Sequence, residues 1–166
     1  MRTLEATPLD RTEYASYGDV IEASDEWRAA NQGTARKSEW LAHLVDARNG
    51  RSQPNISVFR CSPRALPFEI AMLEKHPAST QIFVPMNARR YVVVVALGGD
   101  EPDLSTLRAF LAHGTQAITY RPGVWHHPMI ALDAETDFFC LVHEDGSMTD
   151  CVETELSPEE RAVVTA

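Results

Sequence analysis

The chain has 166 residues, 44% of them hydrophobic and 23% charged, the proportions of an ordinary globular protein with one core. A formal net charge of −9, with no cluster of Lys and Arg set against it, excludes a phosphate-backbone binder, because nucleic acid requires a basic surface. The longest apolar run, Tyr91 to Leu97, is far shorter than the roughly 20 residues needed to cross a bilayer, and the N-terminal segment lacks the apolar stretch of a signal peptide.

Three cysteines, Cys61, Cys140 and Cys151, are odd in number and lack metal-type spacing, as in a reduced protein. The expectation is a single cytoplasmic domain over residues 1–166, with a small-molecule partner and neither nucleic acid nor membrane.

In chain order, Asp10-Arg-Thr-Glu13 has the form of a capping box and starts a short helix that Gly18 would end. Asn31 to Ser38 is polar and irregular, Asn49-Gly50 is a turn, and Asn55 to Cys61 is a predicted strand. Phe68 to His76 is the informative segment. Read as one strand, it puts Glu74 and His76 on the same face as Phe68, Ile70 and Met72. A carboxylate and an imidazole on an apolar face are costly unless paired or ligating.

Gln81 to Met86 and Arg90 to Leu97 follow as strands, and the unbroken run Val92 to Val95 predicts burial on both faces. Asp103 is positioned to cap a short helix carrying Leu104, Leu107, Phe110 and Leu111 at helical spacing. Thr115 to Tyr120, Trp125 to Leu132 and Phe138 to His143 complete the strands, and the acidic tail beyond Glu144 is less regular. Many short strands with few short helices make the fold mainly β, and a jelly-roll β-barrel is the preferred architecture.

Two segments are similar to the cupin pattern, in which a His-x-His and a following acidic residue are answered by a Pro-x-Gly-like turn and another His. Here they read Glu74-Lys75-His76, then Gln81, and Pro122-Gly123-Val124-Trp125-His126. On that pattern the metal positions carry Glu74, His76, Gln81 and His126, two imidazoles and a carboxylate able to hold a first-row divalent ion. Five longer stretches resemble the bacterial ureidoglycolate lyase family: YGDVIE from Tyr17, NQGTA from Asn31, LEKHPASTQIFVPM from Leu73, EPDLSTLRAFLAHG from Glu101 and GVWHHP from Gly123.

The resemblance implies a cupin-type barrel, a homodimer, and a C–N lyase that splits ureidoglycolate into glyoxylate and urea in allantoin breakdown. It associates nickel or another divalent metal with the activity and no organic cofactor. Glu74, His76 and His126 would be the catalytic residues. Asn31, Gln32, Lys37, Arg60 and Gln81 would bind substrate, the cations and amides answering its carboxylate. His127, one residue from His126, would face the opposite way.

The chain departs from the family at Glu39-Trp40, His143 to Gly146 and Asp150 to Val152. Two other readings stay open: a metal-dependent cupin of another class, such as a dioxygenase built on two histidines and a carboxylate, and a non-catalytic cupin that binds a small carboxylate.

Overall fold

A computed structural model describes residues 2–166. The strands, numbered in chain order, are β1 (Arg2–Glu5), β2 (Thr7–Pro8), β3 (Val20–Ile21), β4 (Arg28–Ala30), β5 (Ala35–Lys37), β6 (Gln53–Cys61), β7 (Phe68–Ile70), β8 (Met72–Lys75) and β9 (Gln81–Pro85). They continue with β10 (Arg90–Gly98), β11 (Pro102–His113), β12 (Ala117–Tyr120), β13 (Trp125–His126), β14 (Ile130–Ala131), β15 (Thr136–Glu144), β16 (Val152–Glu155) and β17 (Ala162–Thr165). A four-residue helix, α1 (Arg11–Tyr14), starts where the capping box predicts: the Asp10 side chain accepts from the Thr12 and Glu13 amides.

Two sheets face each other. One runs β16-β8-β13-β10-β11-β2, with β14 also on β10; the other runs β3-β12-β9-β15-β6. Between them lie Tyr91, Val93 and Val95 from the first sheet and Phe83, Ile118, Tyr120, Phe138 and Cys140 from the second. A small third sheet, β1-β17-β7, covers the back of the first and buries Val92, Val94, Ala96, Leu107 and Trp125. The jelly roll expected from sequence is thus present as a sandwich of sheets, not joined by hydrogen bonds into a closed barrel. Because β10 has a core on each side, Val92 to Val95 are buried without polar alternation, as predicted.

Three expectations are corrected. Asp103 to Leu111 is not a helix but part of the twelve-residue strand β11, with Phe110 opposite Val93 and Ala109 opposite Val94. Both faces of that strand are buried, Leu107 and Ala109 in the back core and Phe110 and Ala112 in the front, so its apolar residues fall at spacings that imitate a helix. Asp103 lies instead where the register of β11 against β10 shifts, and accepts there from the Ser105 amide and hydroxyl.

Phe68 to His76 is not one strand. It breaks at Ala71 between β7 and β8, so Ile70 joins Leu73 in the back core and does not share a face with Glu74. The tail is more regular than its composition suggests, because β16 pairs with β8 and β17 lies between β1 and β7.

Gly18 is required by close approach. A Cβ there would lie 1.8 Å from the Thr119 carbonyl oxygen, where the turn after α1 crosses β12. That crossing is fastened by Tyr14, whose hydroxyl donates to the Thr119 carbonyl at 2.9 Å.

Candidate active site

His126 on β13 lies directly opposite Glu74 on β8. Both side chains point between the sheets, and His76 follows one residue beyond the end of β8. His126 is 1% exposed and His76 7%. Burial this complete calls for a partner at every enclosed polar atom, and His126 meets that requirement on one side only.

Nδ1 of His76 is 2.8 Å from the Asp150 carbonyl oxygen, and Nδ1 of His126 is 3.0 Å from that of Val124. A carbonyl can only accept, so Nδ1 carries a proton in both rings, and in the neutral ring it is Nε2 that offers the lone pair. His126 Nε2 is 3.5 Å from Glu74 Oε1 and has no hydrogen-bond partner. One ligating atom from each of Glu74, His76 and His126 falls within 4.8 Å of the others.

The rings are held against rotation. Tyr120 stacks on His126 at 3.8 Å and 8°, and His76 lies nearly parallel to His126 at 5.9 Å. Tyr120 comes from the opposite sheet, next to Gln81 in the β12–β9 register. Gln81 is buried, its Nε2 donates to Cys140 Sγ at 3.6 Å, and its Oε1 is, among the described residues, the other buried side-chain nitrogen or oxygen without a partner.

The electrostatics follow from this arrangement. Burial works to raise the Glu74 carboxyl, but the His126 ring facing it, with His76 and His127 around it, outweighs burial, and the group is held below the usual carboxylate range. Burial, reinforced by His126, pushes His76 down, so its imidazole stays neutral with its lone pair free. Beside Glu74 stand Cys151 and Glu153, a second group of ligand type. Burial, with Glu74 and other carboxylates nearby, pushes the Cys151 thiol up to about 12, which keeps it protonated near neutrality.

The remaining predicted residues lie elsewhere. Asn31 and Gln32, both with positive φ, form the exposed tip of the β4–β5 hairpin, a two-stranded sheet of its own. Lys37 is paired with Glu39 at 2.6 Å, and Arg60 makes a bidentate contact to Asp137 at 2.8 and 2.9 Å on the exposed edge strand β6. His127 turns away from His126, as expected, and packs edge-on against Phe68. Of the departures, Glu39 links Arg28 and Lys37 while Trp40 is 96% exposed; Asp150 and Cys151 adjoin the histidine cluster.

Sequence reasoning missed the carbonyls of Asp150 and Val124 and the Tyr120 stack. Every residue has a carbonyl, so nothing in a sequence marks one that orients a histidine.

A family model described as ureidoglycolate lyase matches residues 1–164. The chain belongs to the ureidoglycolate lyase family. A ureidoglycolate lyase of Salmonella typhimurium is 44% identical over 149 residues, covering 89% of this chain and 91% of that one. The Salmonella enteritidis protein of the same name is 42% identical over the same shares. Among solved structures, a dTDP sugar isomerase from Desulfovibrio desulfuricans is similar at a TM-score of 0.48 and 13% identity, over 85% of this chain and 87% of that one, a likeness too weak to bear on the site. The family is one of lyases, and the Glu74–His76–His126 cluster lies within the part of the chain that the family model covers.

Proposed function

We propose that this chain cleaves ureidoglycolate to glyoxylate and urea at the Glu74–His76–His126 cluster. The observation that carries the assignment is the convergence of a carboxylate and two lone pairs, each imidazole fixed by a backbone carbonyl, in a space where His126 Nε2 has no partner. The substrate follows from the family.

One carbon of ureidoglycolate bears hydroxyl, carboxylate and ureido nitrogen. As the hydroxyl loses its proton, its O–H electron pair becomes the second bond of the new carbonyl. The C–N bond breaks, and the nitrogen takes its electron pair and a proton. Atoms and charge balance with no redox partner. The chain must therefore supply a base at the hydroxyl and an acid at the nitrogen. With no ion bound, ionised Glu74 and neutral His76 are both acceptors, and a proton taken by the cluster can be passed to the departing urea nitrogen.

Two imidazole nitrogens and a carboxylate oxygen within 4.8 Å of one another form a donor set that fits a first-row divalent ion, and the unpartnered Oε1 of buried Gln81 on the facing sheet is the fourth donor assigned to it. Glu74, His76, His126 and Gln81 would hold it, and nickel is the metal the family resemblance suggests. Once bound, such an ion acidifies a coordinated hydroxyl and neutralises carboxylate charge. Asn31 and Gln32 would reach the substrate carboxylate only if the β4–β5 hairpin folded over the cluster; Lys37 and Arg60 could serve only by giving up Glu39 and Asp137.

The same reading makes the protein a cytoplasmic homodimer acting in allantoin breakdown. Support for the dimer lies on the outer face of the second sheet, where Ile56, Leu141 and Ile82 form one cross-strand row and Val58, Phe139 and Val84 the next. Ile56 is 62% exposed and Val58 56%, on an edge strand with one side unpaired. A continuous apolar surface of this kind calls for a partner, and a second copy offers the matching face around a two-fold axis.

The test is urea release from racemic ureidoglycolate, corrected for spontaneous decay, before and after chelation and nickel addition. Release above background that falls on chelation and returns with nickel is expected. Oxygen consumption without urea would replace the lyase by an oxygenase, and tight carboxylate binding without turnover would replace it by a binding role.

A further inference from the structure

The structure assigns to Arg48, a residue outside the cluster, the task of setting the position and tautomer of His76. This rests on the reading of Glu74, His76 and His126 as the working site.

The His76 ring has a single hydrogen bond, from Nδ1 to the carbonyl of Asp150. That carbonyl lies at the end of a loop, 145–150, which is wrapped around the Asp150 carboxylate. Asp150 accepts from the Asp145 amide at 3.1 Å and the Gly146 amide at 2.7 Å. Arg48 closes the wrap from outside. Its Nη2 is 2.6 Å from Asp150 Oδ1, its Nε is 3.3 Å from Asp145 Oδ2, and its Nη1 donates to the His143 carbonyl at 3.1 Å. The Arg48 and Asp150 side chains are 10% and 11% exposed, so the pair is largely shielded from solvent screening.

Arg48 is itself tied to the chain just beyond His76. Ala47 donates its amide to the Ala78 carbonyl, Thr80 to the Val45 carbonyl, and Asp46 bridges Ser79. The Ser79 hydroxyl donates to the same His143 carbonyl that Arg48 uses. The segment around Arg48 therefore grips His76 twice: through the backbone that follows it and through the loop whose carbonyl holds its ring. His126 has no such dependence, because its Nδ1 partner, the Val124 carbonyl, lies two residues back in the same segment, just before β13.

Loss of the guanidinium leaves the Asp150 carboxylate buried without its counter-charge, which favours opening of the loop and withdrawal of the Asp150 carbonyl. His76 Nδ1–H then loses its acceptor, the ring samples both tautomers, and Nε2 carries a proton part of the time. A positioning residue of this kind changes metal affinity or turnover by about 10–100-fold when removed.

The experiment compares the full chain with Arg48→Met, Arg48→Lys and Asp150→Asn. The main readout is the tautomer of each histidine, from long-range nitrogen-15 spectra of metal-free protein, together with nickel(II) affinity by equilibrium dialysis. In wild type His76 and His126 are expected as Nδ1–H tautomers. In Arg48→Met, His76 shifts to a mixture and nickel binding weakens about 10–100-fold, while His126 is unchanged. Arg48→Lys, which keeps a donor to Asp150, recovers part of the loss. If Arg48→Met does not fold, Asp150→Asn makes the same test from the other side of the pair: its one amide oxygen replaces only one of the two carboxylate oxygens that accept from Asp145 and Gly146, and the charge that holds Arg48 is gone. A folded variant of either kind in which His76 keeps its tautomer and nickel affinity stays within twofold of wild type overturns the proposal. Because the tautomer is read without substrate, a protein that shifts His76 but never releases urea would uphold Arg48 and defeat the lyase reading.

Discussion

Replacing Glu74 by Gln changes one oxygen to an amide nitrogen at nearly constant volume, so it separates the chemistry of the carboxylate from its packing. The Glu74 side chain is 19% exposed and its contact to His126 is 3.5 Å, longer than a hydrogen bond of full strength. The stability at stake is therefore about 1 kcal/mol or less, which moves the melting temperature of a chain this size by about 2–4 °C. The catalytic loss is of another order. A positioned general base contributes about 10²–10⁴-fold, or roughly 3–5 kcal/mol of barrier at about 1.4 kcal/mol per decade. Initial rates of urea release, corrected for spontaneous decay, should show kcat reduced by that factor in protein whose melt is nearly unchanged. A Glu74→Gln enzyme within about threefold of wild-type kcat would refute the carboxylate's role, because an interaction made at the transition state cannot be lost at so small a cost.

Other expectations concern pH, thiols and assembly. His76 and His127 are both pushed down, by burial first, so the native chain binds fewer protons than the unfolded chain below the ordinary histidine value. The stability they contribute is complete above about pH 6.5 and is lost as pH falls through their folded values; thermal melts should decline across that window, and flat melts would contradict the burial. Burial also raises Cys140 to about 11 and Cys151 to about 12, so neither should react with iodoacetamide in native protein near neutral pH, although both should in urea. Rapid native labelling of Cys151 would show that the thiol beside Glu74 is not shielded. On the outer sheet face, Val58→Glu puts a charge into the apolar rows and should halve the mass found by sedimentation; an unchanged mass would move the interface elsewhere.

The sequence by itself determined much of this protein. Glu74 and His76, two residues apart among apolar neighbours, marked a polar pair that had to be paired or ligating, and both turn to the space between the sheets. Asp10 marked a helix start, and Val92 to Val95 marked a strand buried on both sides. In each case the signal is local, a period or a cap that a few adjacent residues express. Tertiary structure decided the rest. Leu107 and Phe110 read as one helical face because spacing does not reveal that two separate cores receive them. The break at Ala71 depends on β7 joining the third sheet while β8 joins the first. Lys37 and Arg60 looked available for an anionic substrate, yet Glu39 and Asp137 already engage them. The tautomers of His76 and His126 were also beyond the sequence, since they are set by carbonyl groups that every residue carries and only the fold aims.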